Sequence, residues 1–175
     1  MTVPPAAGPA GGWPLSDPML RTLTAYALLG LAGVLVAFGV LGWILPPGQM
    51  GIVPRFSPDR FTQLPVLVGP LLAMLVATRL GPPLSSAPVI GLIALAEYAA
   101  ALLFGGFGFL ITLASRFERP GRGIYLLGGL LHHAGGILTI LLLLVLLGLA
   151  GLWTARLYQS LGGRLPGLSP PASRQ

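Results

Sequence analysis

Residues 134–153 read AGGILTILLLLVLLGLAGLW, twenty consecutive positions without a charged side chain. A helix of about 20 apolar residues is long enough to cross the hydrocarbon core of a bilayer. Three similar stretches precede it, so we predict membrane spans at about 20–45, 61–80, 87–115 and 124–153. The predicted fold is all-α: a polytopic membrane protein with four transmembrane helices in an up-down-up-down bundle.

The composition of the whole chain agrees with this prediction. Hydrophobic residues make up 54% of the 175 positions and charged residues only 8%, whereas soluble domains carry about 25% charged residues. So much apolar surface also excludes a disordered chain. The chain has no cysteine, which excludes disulfide scaffolds, thiolate metal sites and cysteine nucleophiles.

The domain boundaries follow from shifts in composition. We predict a four-helix transmembrane domain at 20–158, between a Pro/Gly/Ala-rich disordered tail at 1–19 and a second disordered tail at 159–175. Pro70 lies inside the second span, where it should kink the helix and leave a carbonyl for neighbouring helices or water to satisfy. Ser57-Pro58-Asp59 has the order of residues that begins a helix.

The charged residues lie mainly at the ends of the apolar spans. All ten basic residues are arginine, which indicates a GC-rich, bacterial genome. Because they are scattered singly, we interpret them as anchors in the lipid headgroups and exclude nucleic acid as a partner. Five lie on each predicted face of the membrane, so the positive-inside rule gives no orientation. The expected location is the cell membrane, with the lipid bilayer as one partner.

Glu97 is the strongest functional signal, because an ionisable side chain at membrane depth is costly and usually faces the bundle interior. Counting residues from the ends of the spans, with a rise of about 1.5 Å per residue, places Arg79 and Thr139 at the same depth as Glu97, with Tyr26 close to it. We predict a Glu97–Arg79 ion pair, with a hydrogen bond from Tyr26 or Thr139. If this pair forms, Glu97→Gln and Arg79→Gln should each destabilise the protein. The alternative is an unpaired Glu97 that desolvation keeps protonated.

Two histidines interrupt the fourth span. His132 has glycines three and four residues away on both sides, and the third span offers Ala94, Ala101, Gly105 and Gly108 at helical spacing. Small residues allow close helix packing in membranes, so we expect these two faces to meet, with His132 as an interhelical hydrogen-bonding residue. His133 points about 100° away and is free to touch another helix, lipid headgroups or a partner chain.

No motif for catalysis, cofactor binding or metal binding is evident, and we predict none of these sites. Only one span carries histidine, whereas haem ligation and di-iron sites need ligands from several helices. The favoured interpretation is a non-enzymatic accessory, assembly or scaffold subunit that contacts other membrane subunits, or itself as a homo-oligomer. A small proton-linked transporter or permease using Glu97 is the alternative. A lipid-modifying enzyme with Glu97 and His132 as acid and base is the third.

Overall fold

The computed structural model describes residues 17–45, 57–117 and 126–163; among these, the side chains of 116, 117 and 126–134 are outside the described set. Four α-helices follow in order: α1 at Pro18–Ile44, α2 at Leu64–Arg79, α3 at Ala87–Phe117 and α4 at Leu126–Ser160. Each contributes to a segment long and apolar enough to cross a membrane. The predicted class, an all-α four-helix membrane bundle, is confirmed. Of the predicted tails at 1–19 and 159–175, residues 1–16 and 164–175 lie outside the described residues.

The helix boundaries differ from the predictions by a few residues, for reasons of local chemistry. Helix α1 begins at Pro18 because the carboxylate of Asp17 caps it, accepting a hydrogen bond of 2.9 Å from the Met19 amide. Proline suits the first turn because that position needs no intrahelical donor. Asp17 and Pro18 both fall within the predicted disordered tail at 1–19, so the helix begins earlier than predicted. At the other end of the chain, α4 continues to Ser160, and Gly162 follows with a φ of 84°.

The segment before α2 is a 3₁₀ turn at Pro58–Arg60 rather than the start of the helix. The Ser57 hydroxyl donates to the Asp59 carboxylate at 3.1 Å and caps no backbone amide. Phe61, predicted as the first residue of the second span, is fully buried below this turn. Its ring contacts those of Trp43 and Phe104, each with a centroid separation of 5.7 Å. This aromatic cluster holds the turn against α1 and α3.

The helices pack as two triangles that share the α2–α3 pair. Helix α1 packs against α2 and α3, and α4 packs against α3 and, less extensively, α2. One apolar core centres on Ala25, Met74 and Ile90, and a second core, around Phe61 and Tyr98, reaches Leu147 of α4. In the most hydrophobic 18-residue stretch of α4 only 6% of the residues are buried, whereas 44% are buried in the corresponding stretch of the segment containing α2. Helix α4 is therefore the most peripheral of the four.

Pro70 is buried inside α2, as the sequence predicts. It has no N–H, so the carbonyl four residues earlier, that of Val66, loses its helical donor. The neighbouring helix supplies a donor one position away: the Tyr98 hydroxyl donates to the Leu67 carbonyl at 2.7 Å. Tyr98 thereby connects α3 to the irregular part of α2.

The two small-residue faces predicted to pack together differ in the structure: the face on α3 is buried, but the described glycines of the face on α4 make no contact. Ala94, Ala101, Gly105 and Gly108 of α3 are all buried. On α4, however, a side-chain carbon at Gly135 or Gly136 would meet nothing within 4 Å. The α4 residues that contact α3 lie further along the helix, where Leu144 meets Gly105 and Gly151 meets Tyr98. For Gly135 and Gly136, the prediction that the glycines around His132 pack on α3 is therefore wrong. The contact between α4 and α3 begins about two turns later, near Leu144.

Candidate functional site

The intramembrane carboxyl of Glu97 lies in an open groove between α1 and α3. The groove has a volume of about 420 Å³. It is lined by apolar or small residues together with two polar side chains: Tyr26, Leu29, Gly30, Gly33, Val34, Ala37, Ile93 and Glu97. The expectation that Glu97 faces the bundle interior is met in part. Its Oε2 atom is buried and its Oε1 atom lies beside Gly33 of α1, but the side chain also lines this groove, which is open at the bundle surface.

A glycine on α1 makes room for the carboxyl. A Cβ atom built at Gly33 would lie 2.9 Å from Oε1 of Glu97, closer than a side chain permits. A Cβ atom at Gly30, one turn earlier, would meet nothing within 4 Å. Glycine at 33 thus lets the carboxyl approach the α1 backbone, and glycine at 30 leaves the space in front of α1 open.

No described side chain satisfies this carboxyl. Its Oε2 atom is buried and has no hydrogen-bond partner among the described residues. Tyr26 lines the same groove, as its predicted proximity to Glu97 requires, but the structure shows no hydrogen bond between its hydroxyl and the carboxyl. A carboxyl that is partly removed from water without a donor is in a costly state. The Thr154 hydroxyl on α4 is likewise buried without a partner among the described residues, but it is neutral, and leaving a carboxyl unpaired costs more.

The predicted ion pair between Glu97 and Arg79 is wrong. Arg79 is exposed at the end of α2. The Tyr98–Leu67 hydrogen bond places Glu97 level with Val68, and Arg79 lies 11 residues further along α2, or about 16 Å away. The prediction assumed that the second span begins level with the end of the third. Instead Phe61 packs beside Gly105, because α3 extends well beyond the start of the shorter α2.

The same error of register applies to the fourth span. Thr139, predicted to be level with Glu97, is exposed, and its hydroxyl bonds to the Gly135 carbonyl of its own helix at 2.8 Å. Gly151, which packs on Tyr98, marks the true level, 12 residues or about 18 Å from Thr139. His132 lies 19 residues before Gly151, or about 28 Å along the helix. The side chains of His132 and His133 are outside the described residues, so their predicted contacts remain predictions.

A second buried polar site was missed at the sequence level: the guanidinium of Arg21, of which only 1% is exposed. Its Nε and Nη2 atoms donate to the Val76 carbonyl at 3.2 and 3.0 Å, Nη2 also reaches the Ala77 carbonyl at 3.3 Å, and Nη1 donates to the Pro82 carbonyl at 3.1 Å. These carbonyls belong to the C-terminal end of α2 and the loop after it. A cation is stabilised there by unpaired carbonyls and by the helix dipole.

The sequence contains the signal that would have identified Arg21 as internal. Asp17-Pro18 is a capping residue followed by proline at the first helical position, so Arg21 already lies inside α1. Because α2 runs antiparallel to α1, the C-terminal end of α2 lies at the same depth as Arg21, near the start of α1. The loop is also adapted to the guanidinium, because a Cβ atom at Gly81 would lie 2.8 Å from Nη1. Arg21 is a structural cap and not a headgroup anchor.

Comparison with known proteins does not add a function to this geometry. No protein-family model, curated protein or solved structure matches the chain. Among the described residues, no group of three or more His, Asp or Glu side chains is placed to hold a metal ion. The candidate site is therefore the Glu97 groove, whose polar lining consists of the Glu97 and Tyr26 side chains.

Proposed function

We propose that this chain is a multi-pass protein of the bacterial cell membrane that serves as a non-enzymatic accessory, assembly or scaffold subunit. In this proposal, the groove between α1 and α3 binds a transmembrane helix of a partner protein. The observation that carries the proposal is the shape of this groove together with its unsatisfied carboxyl. We call the groove and its lining residues the α1/α3 groove.

The α1/α3 groove has the dimensions of a helix-binding surface. Its lining residues on α1 run from Tyr26 through Gly30 and Gly33 to Ala37, a span of 11 residues or about 16 Å along the helix axis. Gly33 and Ala37 are small residues four positions apart, the spacing at which membrane helices approach each other closely. An elongated, open depression of this kind suits a second helix better than a compact small-molecule ligand.

The chemistry of the groove supports binding rather than catalysis. Its polar lining consists of the Glu97 carboxyl and Tyr26, so the described residues offer no neighbouring base for acid–base chemistry with Glu97. His132, the candidate partner in a lipid-modifying enzyme, is about 28 Å from the level of Glu97. These distances favour the subunit hypothesis over an enzyme.

The proposal can be tested by photo-crosslinking from inside the groove in cells of the native host. A photoreactive residue at Ala37, which lines the groove, should form an adduct with one partner protein that also co-purifies in mild detergent. The matched control is the adjacent Phe38, which is exposed on the surface of α1 and outside the groove. There we expect lipid adducts only.

Three results would contradict the proposal. They are an absence of protein adducts at Ala37, equal protein adducts at Ala37 and Phe38, or adducts solely at twice the 18.1 kDa mass of the chain. The last result would indicate a homo-oligomer instead of a partner subunit.

A proton-linked transporter remains the second candidate because Glu97 has no partner among the described residues. Its test is transport into proteoliposomes driven by a pH gradient. Transport by the wild type that Glu97→Gln abolishes would establish the transporter and overturn the subunit proposal. If the wild type and Glu97→Gln give the same transport in proteoliposomes, and a protein adduct forms at Ala37, the subunit proposal is supported.

A further inference from the structure

We propose that the partner helix presents a basic side chain, lysine or arginine, to Glu97, so that the α1/α3 groove selects helices by a positive charge at mid-membrane depth. This inference rests on the proposed function and specifies the chemistry of the partner. It is carried by the depth of the carboxyl, the absence of a donor within the described bundle, and the free space beside it.

The carboxyl of Glu97, on α3, lies level with the middle of the neighbouring helix α1. It contacts Gly33, which is about 22 Å from Pro18 and about 16 Å from Ile44 along α1. Water and headgroups are distant at that depth, because the hydrocarbon core of a bilayer is about 30 Å thick. A donor for the carboxyl therefore has to come from protein.

The described part of this chain does not supply a cation. Arg21 is committed to the carbonyls of Val76, Ala77 and Pro82, and Arg79 is exposed about 16 Å from the level of Glu97. Of the other two arginine side chains that the structure describes, Arg60 lies against Gly42 of α1 and Arg156 is exposed on α4. A carboxylate that meets a lysine or arginine forms a charge-assisted hydrogen bond, which is stronger than a neutral one. Polar groups in membrane helices pair in this way when they face a protein surface.

The shape of the groove suits a long basic side chain. The space in front of Gly30 is empty, and the apolar residues Leu29, Val34 and Ile93 line the groove next to Glu97. The hydrocarbon stem of a lysine or arginine packs on such apolar surface while its charged end reaches a polar group. The groove thus offers one region for the stem and one carboxyl for the charge.

The experiment measures association of the full-length protein with synthetic helices in phosphatidylcholine vesicles. Because the chain contains no cysteine, a single cysteine at Ser160 accepts a fluorescent donor without further changes. The peptides are 21-residue Leu/Ala helices with identical uncharged ends and Lys, Gln or Leu at the central position. Energy transfer to an acceptor on each peptide gives its dissociation constant.

For the wild type we expect the Lys peptide to bind at least about tenfold more tightly than the Gln and Leu peptides, equivalent to about 1.4 kcal/mol. Glu97→Gln should remove this preference, and Glu97→Asp, which keeps the charge, should retain part of it. Asp59→Asn removes a carboxyl outside the groove and serves as the matched control. It should behave like the wild type. Gly30→Leu, which fills the groove without changing the carboxyl, should weaken all three peptides.

Equal binding of the Lys and Leu peptides to the wild type would overturn the inference, and so would a Lys preference that survives Glu97→Gln. If Glu97→Gln fails to fold, the Gly30→Leu and Glu97→Asp variants still decide the matter. The Ala37 adduct separates this inference from the proposed function. An adduct without a Lys preference leaves the helix-binding subunit standing and removes only the basic partner.

Discussion

At the scale of single residues, the two intramembrane charges have opposite surroundings. Arg21 is almost fully buried and has carbonyl partners on all three guanidinium nitrogens. Glu97 is less buried, yet its Oε2 atom has no partner among the described residues. A satisfied buried charge holds structure together, whereas an unsatisfied one indicates a function or a missing partner. Arg21 therefore belongs to the fold, and Glu97 belongs to the site.

Arg21→Met should lower the free energy of unfolding by about 2–3 kcal/mol, because it removes the guanidinium donors from the Val76 and Pro82 carbonyls at the end of α2. Thermal unfolding of the purified protein in detergent measures the effect as a lower Tm. Arg79→Gln is the matched control: it removes an exposed arginine from the same end of the bundle and should change stability by less than about 0.5 kcal/mol. Equal losses for the two variants would show that Arg21 is not the cap.

At the scale of the elements, α2 depends on its neighbours. It is the shortest of the four helices, and it contains Pro70 and ends at Arg79. Two side chains from other helices donate to its backbone carbonyls: Tyr98 of α3 near the proline and Arg21 of α1 at the C-terminal end. An interrupted helix is stable at membrane depth only when surrounding protein satisfies its free backbone groups.

Tyr98→Phe should destabilise the protein by about 1 kcal/mol, because the hydrogen bond from the Tyr98 hydroxyl to the Leu67 carbonyl is lost while the packing of the ring is retained. Unfolding in detergent gives the single-variant effect, and a double-mutant cycle with Pro70→Ala tests the connection to the proline. Pro70→Ala returns an N–H to the Val66 carbonyl, one position from Leu67, and we expect a smaller effect of Tyr98→Phe when this turn of α2 has its regular hydrogen bond. A cycle that is additive within error would separate the tyrosine from the proline.

At the scale of the whole molecule, the bundle is held where three segments meet. Gly105 of α3 lies between Phe61, in the turn before α2, and Leu144 of α4. This contact joins the second core to the most peripheral helix. The α1/α3 groove lies on another side of α3, so the assembly of the bundle and the candidate site use different surfaces of one helix.

Gly105→Leu should therefore lower the free energy of unfolding by about 2 kcal/mol, because overpacking forces neighbouring side chains and helices apart. A Cβ atom at this position would already lie 3.1 Å from Leu144 and 3.4 Å from Phe61. The adjacent Gly106 is the control, since a Cβ atom there would meet nothing within 4 Å. Gly106→Leu should leave the Tm nearly unchanged. If both variants unfold at the same temperature, residue 105 does not hold this junction.

The amino-acid sequence alone determined the number and approximate limits of the helices, their capacity to span a membrane and the position of Glu97 inside an apolar span. These properties depend on local hydrophobicity and on the cost of a charge in hydrocarbon, which are evident in the order of residues. The sequence also placed Tyr26 near Glu97, and the groove contains both. It did not identify Arg79 as distant from Glu97 or Arg21 as buried.

Only the tertiary structure decided which residues share a depth and a face. Axial register between helices depends on how far each one extends past its neighbour, and counting along a single chain assumes that they all begin in the same plane. Here α3 ends at Phe117, 12 residues or about 18 Å past Gly105, which packs beside Phe61, so the partner expected beside Glu97 lies at the end of the bundle. The position of the carboxyl beside Gly33 follows from side-chain packing between α1 and α3, which no pattern within either helix specifies.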